Sequence, residues 1–334
     1  MIKLWTDTYD EIATRLAQPE FRPRALFERF RIEFLATTDD PLDDLAVHAR
    51  LQSEGLRVAP TFRPDRYVDP DAVGFASNVE ALLQGEKASF TRYLAALERR
   101  REHFIRHGAV SADHGVVEPH TVDLEPAEAE RLFQSLLIGG GSAEDRREFR
   151  GHMLLQMARM SVDDGLVMTI HAGVHRNHST ATFERFGPDT GHDLPVPTDF
   201  VNGLRPMLER FGLERGLHVV LFTVDETAYS REIAPLASFY PSLYIGAPWW
   251  FLDAPDAMAR VRSAVTETAG FYRSSGFIDD TRAFLSIQAR HDTARRADAG
   301  YLARLVREGR VDLPTAERII DDLVGDIPRA AFKL

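Results

Sequence analysis

Seven short apolar runs, each closed by polar or aromatic residues and separated by longer amphipathic stretches, constrain this chain more than any other feature. The runs are Ile32–Ala36, Leu56–Pro60, Ala109–Ser111, Leu166–Ile170, His218–Phe222, Leu243–Gly246 and Gly276–Ile278. Apolar runs of this length between helical patterns read as buried strands, and strands alternating with helices predict a parallel α/β fold. Two architectures satisfy that pattern, a doubly wound sheet and a (β/α)8 barrel. No run is followed by a Gly-x-Gly-x-x-Gly fingerprint, which weighs against a dinucleotide-binding sheet. The residues after the runs are Thr37-Thr-Asp-Asp40, Arg63-Pro-Asp65, Asp113-His114, His171 to Asn177, Asp225-Glu226, Trp249-Trp250 and Asp279-Asp-Thr-Arg282. Functional groups at the C-terminal ends of many strands are what a barrel active site requires. Any one of them also suits a turn or a helix cap, as Asp39 or Asp40 before Pro41 does.

Between the runs, Phe90, Leu94, Leu97, Arg101 and Phe104 fall at helical spacing, with the charged cluster Glu98–Arg101 mostly on the other face. Ser142-Ala-Glu-Asp145 reads as a capping box that opens a helix burying Phe149, Met153 and Met157. Gly139-Gly-Gly141 before it reads as a helix stop and linker rather than a phosphate loop, because no strand leads into it.

Composition narrows the function classes. With 40 basic and 51 acidic residues in 334, the net charge is −11, which leaves no electrostatic footprint for nucleic acid. The absence of cysteine excludes disulfides, thiolate metal sites and thiol nucleophiles. No apolar run approaches the ~20 residues that span a bilayer, and the start does not read as a secretory signal. A soluble cytoplasmic protein is expected.

The chemistry concentrates in two stretches. Gly276-Phe-Ile-Asp-Asp-Thr-Arg282 places Asp279, Asp280 and Arg282 at a strand end, although the same residues also describe a solvated turn. Ile170-His-Ala-Gly-Val-His-Arg-Asn-His178 carries three histidines and an arginine. A lone strand-end histidine is more often structural than ligating. His171 paired with Asp280 suits Zn2+ or a similar divalent ion, although two ligands alone make a weak site. Arg63, Arg176 and Arg282 offer guanidinium forks for carboxylates, or salt bridges to nearby acids. Carboxylates, histidines and several arginines without a cofactor loop suggest a small anionic, polyhydroxylated substrate and proton abstraction beside a carbonyl.

Thr37-Thr-Asp-Asp-Pro-Leu-Asp-Asp-Leu-Ala-Val-His48, Phe62-Arg-Pro-Asp65, Ser111-Ala-Asp-His114, Ile170-His-Ala-Gly-Val-His-Arg-Asn177, Pro248-Trp-Trp-Phe251 and Asp279-Asp-Thr-Arg-Ala-Phe-Leu-Ser286 together resemble the uronate (glucuronate) isomerases. Ala289-Arg-His-Asp-Thr-Ala-Arg-Arg296 fits the same pattern, and the resemblance runs in order along nearly the whole chain. It implies a TIM-type (β/α)8 barrel of the amidohydrolase superfamily. The implied activity is aldose–ketose isomerisation of hexuronates, glucuronate to fructuronate and galacturonate to tagaturonate, by proton transfer from C2 to C1. Carried over residue by residue, His171 and Asp280 match metal ligands, with Zn2+ the expected ion, and Asp280 also matches the proton-transfer base. Arg63, Arg176 and Arg282 match active-site arginines, while Asp113, His114 and Trp249 match pocket-lining positions.

The chain departs from the family at its start. The family's first strand ends in a His-x-His motif that supplies two metal ligands, and a helical insertion follows it. Neither matches here, and His48, inside an expected helix, does not replace the motif. The resemblance therefore implies a barrel shortened at the N-terminus, with seven of eight strands. Residues 1–31 would be a helical remnant and residues 32–334 the incomplete catalytic barrel. It also implies a weakly held metal, low turnover and unpaired strand edges that favour homo-oligomers. The rival readings are a metal-dependent hydrolase of the same superfamily and a vestigial sugar-acid-binding fragment.

Overall fold

The computed structural model describes residues 2–281 and 283–334, the first five of them as backbone only. It contains strands β1 (Leu35–Ala36), β2 (Val58–Ala59), β3 (Ser111–Gly115), β4 (Val167–Ala172), β5 (Val174–His175), β6 (Leu194–Pro195), β7 (Val219–Thr223) and β8 (Leu243–Ile245). β1 and β2 pair in parallel, and β3, β4, β7 and β8 form a four-stranded parallel sheet in that order. Parallel bridges Asp39↔Phe62 and Phe62↔Ala112 link the pair to the sheet, and Ile245↔Ser274 extends the far side. Apart from the antiparallel β5–β6 pair, strands adjacent in this array follow one another along the chain. The order has no switch point of the kind that divides a doubly wound sheet.

Side-chain alternation gives the array two faces. Met168, Ile170 and Ala172 of β4 and Val219 and Leu221 of β7 join the large core that packs against the helices, with Phe149, Met153 and Met157. Val167, Val220 and Phe222, of opposite parity, join a separate cluster with Ala247 and Trp249. That second face also carries the polar groups Asp113, Thr169 and His171. Burial on both faces is the expected state of a parallel sheet with crossover helices. A third cluster, including Phe271, Tyr301, Leu305, Ile319 and Leu323, holds the C-terminal helices together.

The last helix, Asp326–Phe332, lies under the N-terminal strand ends. Lys333 Nζ donates to the carbonyls of Gly165 and Gly216, each at 2.7 Å, just before β4 and β7. Arg329 reaches Glu33, just before β1, at 2.6 Å.

Several expectations need correction. Gly276–Ile278 is not a strand. The array's last contact falls earlier, at Ser274, because Gly276 takes φ 71° and bends the chain. A Cβ there would meet the Leu323 carbonyl oxygen at 3.1 Å and Pro328 Cδ at 2.9 Å. Asp113, His114 and His171 lie within β3 and β4, not after them, since the ladder pairs Asp113 with Thr169 and Gly115 with His171. Polar residues on the inner face hid those strand ends from an apolar pattern. Arg101 does lie on the buried stripe of its helix, as its spacing with Phe90, Leu97 and Phe104 implies. Its side chain is fully buried, bonded by Nε to Asp164 at 2.6 Å and by Nη2 to Ser161 at 2.9 Å. The helix Ala143–Asp164 does open with the capping box at Ser142 and Asp145, and it buries Phe149, Met153 and Met157.

Candidate active site

The inner face at the C-terminal strand ends is organised around Asp113 on β3. Thr169 Oγ1 on β4 donates to its Oδ1 at 2.5 Å. His171 Nδ1, two residues further along β4, lies 2.7 Å from the same oxygen. Arg63 Nη1 lies 3.1 Å from Oδ2, while its Nε donates to Asp65 at 2.8 Å. Burial by itself would raise the Asp113 carboxyl. The His171 imidazole, Arg63 and the Thr169 hydroxyl outweigh it and hold the group well below the usual carboxylate range. Asp113 is therefore held as an anion between Thr169, His171 and Arg63.

Aromatic rings fix His171 on its other sides. Phe222 of β7 stacks on the imidazole at 4.5 Å with planes 2° apart, and Trp249 meets it edge-on at 4.8 Å. Trp249 Nε1 then donates to Asp280 Oδ2 at 3.0 Å. One indole thus spans from the imidazole to the carboxylate. Asp280 holds φ 46°, a left-handed conformation that a non-glycine residue keeps only under local constraint.

The expected site residues among those described separate into three groups. Arg63, Asp113, His171, Trp249 and Asp280 come together, and Asp280 contributes to the charge field at Arg63. Arg176 sits at the margin. It lies 5.1 Å over the Trp250 ring, itself 4.7 Å from Trp249, and its Nη1 is 3.1 Å from Asp193 Oδ2. His114 does not join them. It alternates with Asp113 along β3, so its buried ring lies on the helix-facing side, with Nδ1 3.0 Å from the Thr169 carbonyl oxygen. Burial pushes its imidazole down to about 4. Arg282 lies outside the described residues.

Two participants escaped the sequence reading, namely Thr169 and Phe222. Thr169 shares the parity of His171 on β4, so period-2 counting from that histidine finds it. Phe222 faces it from the neighbouring strand, a relationship that needs the register.

The donor set suits a divalent cation in chemistry. With His171 Nδ1 2.7 Å from Asp113, Nε2 is the ring nitrogen left to serve as a ligand. The number of donors is small: among the described residues, no three His, Asp or Glu side chains converge as a metal cluster. The indole of Trp249 connects His171 to Asp280, the two expected ligands.

A family model described as glucuronate isomerase matches residues 4–332. The uronate isomerase of Rhizorhabdus wittichii is 53% identical over 332 residues, spanning 98% of this chain and 71% of the relative. The crystal structure of glucuronate isomerase from Caulobacter crescentus superposes with a TM-score of 0.94 at 48% identity, covering 98% of this chain and 70% of that one. Uronate isomerase from Thermotoga maritima superposes with a TM-score of 0.92 at 29% identity, covering 98% and 74%.

Proposed function

Because the chain belongs to the glucuronate isomerase family, we propose that the Asp113–His171–Trp249–Asp280 assembly is the catalytic centre of a hexuronate isomerase acting on glucuronate and galacturonate. The observation that carries the reading is the unbroken set of contacts from Arg63 through Asp113, His171 and Trp249 to Asp280. The family match does not favour the hydrolase or vestigial alternatives.

In this reading Asp280 takes the C2 proton of the open-chain aldehyde. The C2–H electron pair forms the C1–C2 double bond, and the carbonyl oxygen becomes the enediol oxygen. Return of that proton from Asp280 to C1, with transfer of the O2 proton to O1, leaves the C2 ketone and the C1 hydroxyl, so atoms and electrons balance without a redox cofactor. Asp280 is held for this work by the Trp249 indole N–H, which fixes one oxygen and leaves the other for the proton. Arg63 and Arg176, and Arg282 by its position in the sequence, would orient the substrate carboxylate and oxygens. Asp113 acts indirectly, by fixing the tautomer and direction of His171. A divalent ion, Zn2+ in this proposal, would be held by His171 Nε2 and Asp280, and would supply Lewis-acid polarisation of the carbonyl. Two protein donors imply weak retention.

The same reading makes the parallel array part of an amidohydrolase-type barrel with its active site at the C-terminal strand ends, residues 1–31 forming a helical appendage. The sequential strand order and the Arg329–Glu33 tie beneath the array support it. No described helix is long and apolar enough to cross a membrane; a cytoplasmic location and a small-molecule partner are parts of the proposal.

The test is incubation of the purified chain with glucuronate and galacturonate, with and without Zn2+ or Mn2+, following ketose formation. Turnover of uronates that responds to added metal is expected, with none of amides or lactones. Hydrolysis of the latter without isomerisation would overturn the proposal.

A further inference from the structure

We propose that Arg290 is a positioning residue that holds Asp280 and Trp249 in mutual register without touching substrate. It lies in the second turn of the helix Phe284–Arg307. Its guanidinium spans two segments that are distant in sequence. On one side Nε bonds the Asp279 carboxylate and Nη2 donates to the Asp279 carbonyl oxygen at 2.7 Å. On the other, Nη2 lies 2.8 Å from Asp253 Oδ2.

Each segment contains a left-handed non-glycine residue next to the site. Asp280, with φ 46°, directly follows Asp279, and Trp250, with φ 47°, directly follows Trp249. Asp253 ends the short helical turn Trp250–Leu252. Such conformations are uncommon for L-residues, less so for Asp than for Trp, and persist where the surroundings over-determine them. Arg290 supplies that constraint on both segments from one rigid fork. The product of the constraint is the 3.0 Å bond from Trp249 Nε1 to Asp280 Oδ2. A lysine has one small ammonium and cannot reproduce a planar set of contacts to two carboxylates and a carbonyl.

This inference rests on Asp280 being the proton-transfer base, but its first readout does not. The chain has three tryptophans, so a Trp5→Phe background leaves only Trp249 and Trp250 to report. In that background Arg290→Lys and Arg290→Ala should each shift tryptophan emission to the red while the far-ultraviolet dichroism of the fold is kept. On glucuronate, kcat should fall at least tenfold with KM within twofold. Asp253→Ala should lower kcat in the same way, and Arg290→Ala with Asp253→Ala should cost less than the product of the two single losses. Unchanged emission in Arg290→Lys would overturn the proposal whether or not the parent chain turns over. A rise in KM at constant kcat would also overturn it, since Arg290 would then be binding substrate directly. An inactive parent chain with a clear emission shift would uphold the positioning role and count against the isomerase reading instead.

Discussion

Asp113 Oδ1 lies 2.7 Å from His171 Nδ1 and 2.5 Å from Thr169 Oγ1, so one carboxylate oxygen meets two side chains of the neighbouring strand. The two strands that carry them are paired in register, with Asp113 opposite Thr169 and Gly115 opposite His171. The strand ladder thus determines how the imidazole is presented.

Thr169→Val removes a hydroxyl donor to a buried carboxylate at nearly constant volume. Hydrogen bonds to charged groups are worth about 1.5–3 kcal/mol, which corresponds to roughly a 10- to 100-fold loss of kcat/KM. Thr169→Ser should keep most of the activity. Steady-state kinetics on glucuronate decide it, and equal activity in the Val and Ser variants would remove Thr169 from the site.

Trp249→Phe keeps a ring against His171 but loses the N–H that fixes Asp280. The expected outcome is a lower kcat with little change in thermal stability. The comparison is kcat beside the melting temperature of the same preparation.

His114 makes stability depend on pH. Its imidazole is buried and titrates near 4, against an ordinary 6.5 in the unfolded chain. Between those values the unfolded state binds more protons, so stability falls as pH drops through this window and is regained above 6.5. From pH 7 to pH 5 this group should account for about 2 kcal/mol of lost stability. His114→Asn keeps a donor for the Thr169 carbonyl and removes the titration. Urea unfolding at the two pH values should show a smaller pH difference in the variant than in the parent.

Arg101→Met should be among the most damaging substitutions in the helix Phe90–Arg106. It removes a fully buried guanidinium and leaves Asp164 and Ser161 without their partner. Breaking one side of such a pair costs about 3–5 kcal/mol, less here because Asp164 retains some solvent contact. Changing Asp164→Leu together with Arg101→Met should recover part of the loss, as measured by denaturant midpoint.

Ser142→Ala removes the cap from the helix Ala143–Asp164 at an exposed position. About 1 kcal/mol of stability should be lost, with kcat unchanged, because the bonds of Ser142 run to Asp145 within its own helix turn.

The sequence by itself determined the alternation of short strands and longer helices, the capping box at Ser142, and the residue types at the strand ends. These are local or periodic properties, written in the order of side chains along one segment. It also carried the family resemblance, because motifs such as Thr37-Thr-Asp-Asp-Pro41 survive as contiguous strings. Only the tertiary structure decided that His114 faces away from Asp113, that Arg101 is buried beside Asp164, and that Phe222 stacks on His171. Each of these depends on strand register or on helix packing between residues far apart in the chain. The same holds for Arg290, whose partners Asp253 and Asp279 meet only because the chain folds two bends against one helix. A guanidinium in a sequence is a charge of unknown destination, and the fold alone supplies its partners.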